Sequence, residues 1–232
     1  YTQAYTLSLH DALPILPLFS DAVQQILKTL GSAPRDLRDA ALLLLASDTL
    51  CRESELAQVA LEHFERKRNG TGWTLKVEFM KNDPDGIGTH RYVSNTTKTA
   101  IDKWCAVAGI NEGPIFLPIG GRPKQPAKAD HRNKINVPPP PPQLRPDQIA
   151  LILRRRAKRA GITTAKRITG HSARVGSCIE LIEAGHSPTA VAFAGGWKGE
   201  RMVLHYAKRA LAGKSAMAQY RDAQEKKSKT EE

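Results

Sequence analysis

Apolar side chains recur every three or four residues through most of this chain, which is the period of an amphipathic helix. From residue 16 onward the spacing predicts helices over residues 20–31, from 34 onward, over 52–62, from 95 or 96 to 109, and over 146–160, 171–184, 188–194, 200–209 and 215–224. Residues 40–45 of the second helix are apolar nearly all round, so we expect this helix in the core. Ser20 can cap the first helix, and Gly109 can end the fourth.

The period changes to two in residues 73–80, where apolar and polar side chains alternate as in a half-buried strand. The apolar members are Trp73, Leu75, Val77 and Phe79. The segment Asn82-Asp-Pro-Asp-Gly86 contains turn-forming residues, and residues 90–93 can return as a second strand. The sequence therefore predicts a mainly α fold with a small antiparallel β-sheet between the helices.

The two ends of the chain and one internal segment differ from this pattern. Residues 5–15 match the translation of a common sequencing-library adapter, so we assign residues 1–15 to an adapter-derived artefact. Residues 114–142 lack periodicity and predict an exposed Pro/Gly-rich loop, and the polar residues 225–232 predict a disordered tail. One domain over residues 16–224 remains. Since the chain does not begin with methionine, we expect it to be a fragment.

Charge and cysteine content narrow the classes of partner and compartment. The 232 residues carry a formal net charge of +12 with a pI of about 9.8, which favours nucleic acid as the partner. No apolar run approaches the roughly 20 residues of a membrane-spanning helix. Cys51, Cys105 and Cys178 are odd in number and far apart, as in a reduced cytosolic protein, and the histidines show no metal-ligand spacing with them.

A set of residues near the C-terminus has the chemistry of phosphodiester cleavage. His171 and Arg174 are three residues apart and share one face of a predicted helix. Gly195-Gly196-Trp197 and Tyr206 follow at intervals that can return to the same site. A guanidinium group matches the charge that builds on phosphate oxygens, an indole N–H can donate to them, and a tyrosine can act as the nucleophile.

These segments resemble the tyrosine recombinases, also called phage integrases. The resemblance is carried by Gly170-His-Ser-Ala-Arg-Val-Gly176 and Ala194-Gly-Gly-Trp197, and weaker similarity extends back to about Leu43. It implies the catalytic-domain fold of that family, with Tyr206 as the nucleophile and with Arg52, Arg174, His171 and Trp197 around the scissile phosphate. It also implies that Lys81, at the turn after the predicted strand, protonates the leaving 5′ oxygen, with Lys76 as a weaker substitute.

Several of these residues also have an ordinary structural interpretation. His171 could be a surface histidine at a helix N-terminus. Arg52 could be a solvated arginine at a helix end, and Glu55 either orients Arg52 or merely pairs with it on the surface. Trp197 could be a core tryptophan, since large aromatic side chains usually pack. Lys81 could be solvated at its turn. Tyr220 is the competing tyrosine, but it lies beyond the motif on the next predicted helix.

A basic cluster precedes the motif. Residues 143–168 contain eight Lys or Arg residues against one Asp. We predict that DNA phosphates bind the cluster formed by Arg154, Arg155, Arg156, Lys158 and Arg159. A solvated basic face is the alternative. Phosphate contacts of this kind supply affinity and salt dependence rather than sequence choice.

The resemblance implies site-specific breaking and rejoining of DNA through a 3′-phosphotyrosine intermediate, without a cofactor or metal. It implies double-stranded DNA as the partner, a homotetramer on that DNA with Ala216, Met217 and Tyr220 as an apolar docking edge, and a cytoplasmic location. Family members also carry an N-terminal DNA-binding domain, which we expect to be missing from this fragment. A type IB topoisomerase-like activity and a non-catalytic DNA-binding module are the two alternatives.

Overall fold

A computed structural model of the protein describes residues 15–68, 70–77, 88–120 and 143–228, the last four by their backbone alone. The α-helices are α1 Ser20–Leu27, α2 Pro34–Thr49, α3 Glu53–Ala57, α4 Asn95–Ala108, α5 Pro146–Arg159, α6 Ser172–Glu183, α7 Pro188–Gly195, α8 Arg201–Ala212 and α9 Ala216–Ser228. The strands are β1 Phe64–Arg66, β2 Trp73–Val77 and β3 Thr89–Val93, and Leu61–His63 and Ala165–Arg167 form 3-10 turns. The predicted mainly α fold with a small antiparallel sheet is confirmed.

Helix α2 lies at the centre of the fold. It packs against α1, α4, α5, α6 and strand β3. Residues 41–43, 45 and 46 are all buried, so positions all round the helix face the core, as the apolar run predicts. Pro34 occupies the first turn, where the missing N–H of proline is not needed by the helix.

The predicted end signals are correct for α4 but not for α1. Gly109 ends α4 in the left-handed conformation, with φ +67°, and Ser94 begins it by accepting a hydrogen bond from the Thr97 N–H. Ser20 is instead the first residue of α1, and its N–H donates to the Glu180 carboxylate at 2.7 Å. The side chain that satisfies the start of α1 therefore comes from a helix 160 residues away.

The helix predicted over residues 52–62 is wrong beyond Ala57. There, the Ile115 N–H donates to the Val59 carbonyl at 3.0 Å, and the Leu61 N–H donates to the Gly113 carbonyl at 2.9 Å. Backbone groups that a longer helix would use are thus bound to a distant segment. Tertiary hydrogen bonds override the local helical pattern here.

Within the described residues the sheet has three strands in the order β1-β2-β3, one more than the sequence predicts. Both pairings are antiparallel, with Phe64 opposite Leu75 in the first and Leu75 opposite Arg91 in the second. Leu75 and Val77 are buried, which confirms the predicted alternation in β2. Strand β1 has three residues, too few for a period of two to be recognised. Phe79 and the predicted turn at residues 82–86 lie outside the described residues.

The predicted exposed loop over residues 114–142 is wrong at its start. Ile115 and Phe116 are completely buried. The Trp104 indole N–H donates to the Ile115 carbonyl at 2.6 Å, and the Leu144 N–H donates to the Phe116 carbonyl at 2.8 Å. An apolar pair therefore anchors the beginning of this segment in the core. Residues 121–142, including the proline run, lie outside the described residues.

The structure also bears on the predictions for the two chain ends, for membrane-spanning helices and for the cysteines. Helix α9 continues to Ser228, so residues 225–228 of the predicted disordered tail are helical. Residues 229–232, and residues 1–14 of the segment predicted to be adapter-derived, lie outside the described part of the chain. None of the described helices is long and apolar enough to cross a membrane. The three cysteines are free and buried.

The buried apolar residues form two clusters that meet at α6. Ala173 belongs to the larger cluster, which surrounds α2 and the sheet, whereas Val175 belongs to the smaller cluster, which lies between α6, α7 and α8. The chain just after α2 is divided in the same way, with Leu50 in the smaller cluster and Cys51 in the larger. The end of α2 and the start of α6 therefore lie on the boundary between the two clusters.

Candidate active site

The loop after α2 meets the first turn of α6 at this boundary. Arg174 donates a hydrogen bond from Nη1 to the Leu50 carbonyl. Leu50 ends α2 in the left-handed conformation, with φ +51°, which costs an L-residue about 1 kcal/mol. The Leu50 side chain is 3% exposed in the smaller cluster, and its burial holds this conformation. The strained turn aims a backbone carbonyl at the Arg174 side chain.

Arg174 is a buried cation with one donor left open. The residue is 1% exposed, and Nη2 has no hydrogen-bond partner among the described residues. The guanidinium carbon lies 3.9 Å from the centroid of the Trp197 ring. Burial lowers the pKa of Arg174 to about 10, the positive charge of Arg52 adds to this, and Glu55 acts in the opposite direction. A buried, charged and partly unsatisfied guanidinium is suited to binding an anion.

Arg52 is held by a carboxylate from the helix that it begins. The Glu55 side chain contacts Arg52 Nη1 at 2.6 Å and accepts a hydrogen bond from the Arg52 backbone N–H at 2.9 Å. Glu55 is 4% exposed, so the pair is not the surface ion pair that was the alternative for these residues. Its two contacts fix both the backbone and the side chain of Arg52.

Close packing explains why positions 195 and 196, just before Trp197, are both glycine. A Cβ on Gly195 would lie 2.0 Å from the Trp197 ring. Gly196 ends α7 with φ +62°, and a Cβ there would lie 2.0 Å from Arg91 Nη2. The buried Arg91 donates from Nη1 to the Ala194 carbonyl at 2.9 Å, at the carboxyl end of α7. The glycines allow the indole and this guanidinium to approach the end of the helix closely.

Tyr206 lies on α8 beside Trp197. The two ring centroids are 6.3 Å apart at an interplanar angle of 55°. Tyr206 is half-buried, and burial raises the pKa of its phenol, while the charges of Arg174 and Arg52 oppose that increase. Tyr220, the competing tyrosine, is instead exposed on α9, where its hydroxyl accepts a hydrogen bond from Gln224 at 2.9 Å. Of these two tyrosines, Tyr206 is the one close enough for the charges of Arg174 and Arg52 to act on its phenol.

His171 precedes the first residue of α6, one turn before Arg174. Its Nδ1 atom lies 2.8 Å from Oε2 of Glu53, the residue that follows Arg52. The fold therefore brings together five of the six residues for which the sequence predicts a catalytic role: Arg52, His171, Arg174, Trp197 and Tyr206. The sixth, Lys81, lies outside the described residues.

The predicted basic cluster on α5 divides into two parts. Arg154, Arg155, Lys158 and Arg159 are exposed, and Arg154 Nε also donates to the Ile168 carbonyl at 3.2 Å.

Arg156 is buried, at 6% exposure. It contacts Asp39 at 2.7 Å and Asp36 at 2.6 Å, and both carboxylates come from α2. The prediction that Arg156 binds DNA is therefore corrected, because its guanidinium joins α5 to α2 inside the fold.

Comparisons with known proteins identify the family and the fold of the chain. The model of the family described as the phage integrase family matches residues 18–212. The chain belongs to the phage integrase family. Over 181 residues it is 24% identical to recombinase Cre of Escherichia phage P1, covering 74% of this chain and 49% of Cre. The chain thus spans about half the length of this curated relative.

Solved structures of recombinases share the fold of this phage integrase family chain. The XerH site-specific recombinase, bound to a palindromic difH substrate in a post-cleavage complex, superposes with a TM-score of 0.65 and 15% identity, over 88% of this chain and 52% of XerH. A lambda integrase dimer bound to a COC' core site superposes with a TM-score of 0.53 and 16% identity, over 85% of this chain and 60% of the integrase.

The sequence pattern of this integrase-family chain does not point to two residues that help to build the site. Arg91 looks like a polar position on a strand, and its bond to α7 spans 103 residues of sequence. Glu53 lies beside Arg52 in the motif, but its nearness to His171 depends on how α3 meets α6. The nearest signals are Gly196 and Gly170, whose missing side chains leave room for Arg91 and Glu53.

Proposed function

We propose that this integrase-family chain breaks and rejoins DNA, with Tyr206 as the nucleophile that forms a 3′-phosphotyrosine. The observation that carries the proposal is the arrangement around Arg174. Its guanidinium is buried against Trp197 and keeps Nη2 without a partner among the described residues, beside the half-buried Tyr206. A scissile phosphate supplies the acceptor that this donor lacks.

Two arginines form the phosphate clamp in this proposal. Arg174 is fixed by the Leu50 carbonyl, and Arg52 is fixed by the Glu55 carboxylate. Because each guanidinium is already oriented, little reorganisation is needed when negative charge develops on the non-bridging oxygens. The Trp197 indole N–H is the proposed third donor to these oxygens. Glu55 acts through Arg52 and is a positioning residue.

The nucleophile needs a proton acceptor in this mechanism. Because burial raises the pKa of Tyr206, its phenol is protonated at neutral pH. His171 is the proposed acceptor of that proton as the bond from Oη to phosphorus forms. The bond from phosphorus to the 5′ oxygen breaks at the same time, and Lys81 is the proposed donor to that oxygen. The phosphotyrosine keeps the ester energy, so that a 5′ hydroxyl can attack in return and release Tyr206.

The proposed partner is double-stranded DNA. The exposed α5 residues Arg154, Arg155, Lys158 and Arg159 can contact its phosphates and account for part of the +12 charge. The proposal includes a homotetramer on DNA, with the exposed Ala216, Met217 and Tyr220 of α9 as an apolar docking edge. It also places the protein in the cytoplasm, where DNA is accessible. The XerH and lambda integrase structures, which contain DNA, support DNA as the partner.

Covalent trapping on DNA tests this proposal without a known target sequence. We would incubate the chain with a labelled pool of duplexes that carry a nick next to a randomised sequence. Loss of the short fragment at the nick prevents religation, so a cleaved strand stays attached to the protein through denaturing electrophoresis. We expect an adduct with the wild-type chain and none with Tyr206→Phe, and sequencing of the attached DNA identifies the preferred site.

The two alternatives give different results in the same experiments. A non-catalytic DNA-binding module retards the duplexes but forms no adduct, which would contradict the proposal. A topoisomerase-like enzyme forms adducts with little sequence preference and relaxes supercoiled plasmid that lacks the enriched site. Tyr220→Phe is the matched control. If the adduct were lost in Tyr220→Phe but kept in Tyr206→Phe, the nucleophile would be Tyr220 on α9, and the proposed role of Tyr206 would be wrong.

A further inference from the structure

We infer that Glu53 is a positioning residue for His171, which it orients as a carboxylate–imidazole pair with Nε2 left for the reacting groups. This inference rests on the proposed function, because it concerns the same reaction. The Glu53 Oε2 atom lies 2.8 Å from His171 Nδ1. At this distance the carboxylate oxygen is within reach of a hydrogen bond from Nδ1, which a rotation of the side chains aligns.

The approach of the two side chains is built into the fold. A Cβ on Gly170 would lie 2.8 Å from three atoms of Glu53, namely Cβ, Cδ and Oε2. Glycine at this position therefore leaves the space that the carboxylate occupies. The side chains of His171 and Glu53 are 32% and 25% exposed, so water has limited access to the pair. The His-Ser-Ala-Arg motif and the Arg52 segment are thus joined by a second contact besides that of Arg174 with Leu50.

Glu53 and Glu55 both lie near the site but have different partners. Glu55 is bound to Arg52, whereas Glu53 faces His171. Burial raises the pKa of Glu53, but the nearby His171 and the positive charge of Arg52 outweigh it, so the Glu53 pKa is lowered and the group is ionised at neutral pH. An anionic carboxylate favours a proton on the facing nitrogen of an imidazole. That preference fixes the tautomer and leaves Nε2 free to accept a proton.

The tautomer of His171 can be observed without any DNA. Long-range proton–nitrogen NMR correlation spectra of the free 232-residue chain at about pH 8, where an ordinary imidazole is neutral, report which ring nitrogen carries the proton. His171→Gln identifies the signals. We expect a proton on Nδ1 in the wild-type chain and a shift of the population towards the Nε2-protonated form in Glu53→Ala. Identical His171 signals in the two proteins would overturn the inference.

The rate of adduct formation on the enriched duplex tests the consequence for catalysis. We expect Glu53→Ala to lower the first-order rate at saturating DNA by tenfold or more, about the effect of losing a group that orients a reactive histidine, while the Kd for DNA changes less than about twofold. Glu53→Gln should be intermediate, because its amide oxygen still accepts from Nδ1 but carries no charge. The controls are Ser54→Ala and Glu112→Gln, both exposed.

The possible failures are distinguishable. If the wild-type chain forms no adduct, the proposed function fails, while the NMR spectra still decide whether Glu53 sets the tautomer. If the wild-type chain forms the adduct and Glu53→Ala matches its rate, the positioning role is refuted. Circular dichroism checks that each variant folds, and Glu53→Gln, which has nearly the same shape as glutamate, replaces Glu53→Ala if the alanine variant unfolds.

Discussion

The guanidinium carbon of Arg174 lies 3.9 Å from the centroid of the Trp197 ring, so the two side chains stack. The indole shields one face of the cation from water, and a cation over an indole face gains about 1 kcal/mol or more when it is desolvated. The Leu50 carbonyl holds Nη1 of the same group. These two contacts together orient Arg174, and Nη2, which has no partner among the described residues, is the donor that we propose for the phosphate.

Two substitutions of Trp197 separate its packing from its indole N–H. Trp197→Phe keeps an aromatic ring, so we expect the free energy of unfolding to change by less than about 1 kcal/mol. Trp197→Ala removes a partly buried ring and should lower that energy by about 2 kcal/mol. If the N–H binds phosphate, Trp197→Phe should also slow adduct formation by about tenfold. Urea unfolding and single-turnover cleavage measure the two effects, and equal stabilities for both variants would refute the packing role.

Gly196 and Gly199 make a matched pair for testing the end of α7. Gly196 has φ +62°, and a Cβ there would meet the Arg91 guanidinium, whereas no atom of the described residues lies within 4 Å of a Cβ on Gly199. We expect Gly196→Ala to destabilise the chain by about 2 kcal/mol or more, through the left-handed backbone and the displaced arginine. Gly199→Ala should stay within about 0.5 kcal/mol of wild type. Thermal and urea unfolding decide the matter, and similar losses in both variants would contradict this explanation.

Much of the fold could be predicted because helical and strand periods are local, whereas the list of catalytic candidates also needed the resemblance to a known family. Helix α2 is recognisable since apolar residues surround it, and α4 since Gly109 can adopt a positive φ. The interval from His171 to Arg174 is one helical turn, so a local pattern places both at the start of one helix.

The relationships that could not be predicted join residues far apart in the chain. Whether Arg156 faces solvent depends on Asp39, which lies 117 residues earlier on another helix. The end of α3 depends on residues 113–115, which take the hydrogen bonds that a longer helix would use. The short stretch of sequence in which a helical period is detected does not include these distant partners. The burial of Arg156 and the end of α3 are therefore visible only in the packed structure.

We expect the buried Arg156 of α5 to contribute to stability and the exposed Arg155 of the same helix to contribute to DNA binding. Arg156→Met breaks the buried pairing with Asp39 and Asp36, so we expect the free energy of unfolding to fall by about 3 kcal/mol. The exposed Arg155 should tolerate Arg155→Met within about 0.5 kcal/mol. Its loss should instead reduce the slope of log K against log salt for duplex DNA by about 0.9, the effect of one lost phosphate contact.

Urea unfolding and fluorescence anisotropy at several salt concentrations measure these effects. If Arg156→Met reduced the salt slope at unchanged stability, Arg156 would be a DNA contact after all, and the correction made from its burial would be wrong.

The buried thiols predict a loss of stability in alkali. Burial raises the pKa of Cys51, Cys105 and Cys178 to about 11 each. In the unfolded chain a thiol ionises near about 8.5, so the native state holds more protons between these values, and stability falls as pH rises through that window. At about pH 10 each buried thiol should lower the free energy of unfolding by up to about 2 kcal/mol relative to its value at neutral pH.

Cys178→Ala provides the comparison, because alanine cannot ionise. The variant loses a constant packing contribution, so its deficit in unfolding free energy against the wild-type chain should shrink as pH rises from about 8 to about 10. Ellman's reagent gives a second measurement, in which the thiols of the folded chain should react far more slowly than those of the unfolded chain. A deficit that stays constant with pH, together with rapid labelling of Cys178 in the folded chain, would contradict the burial of this thiol.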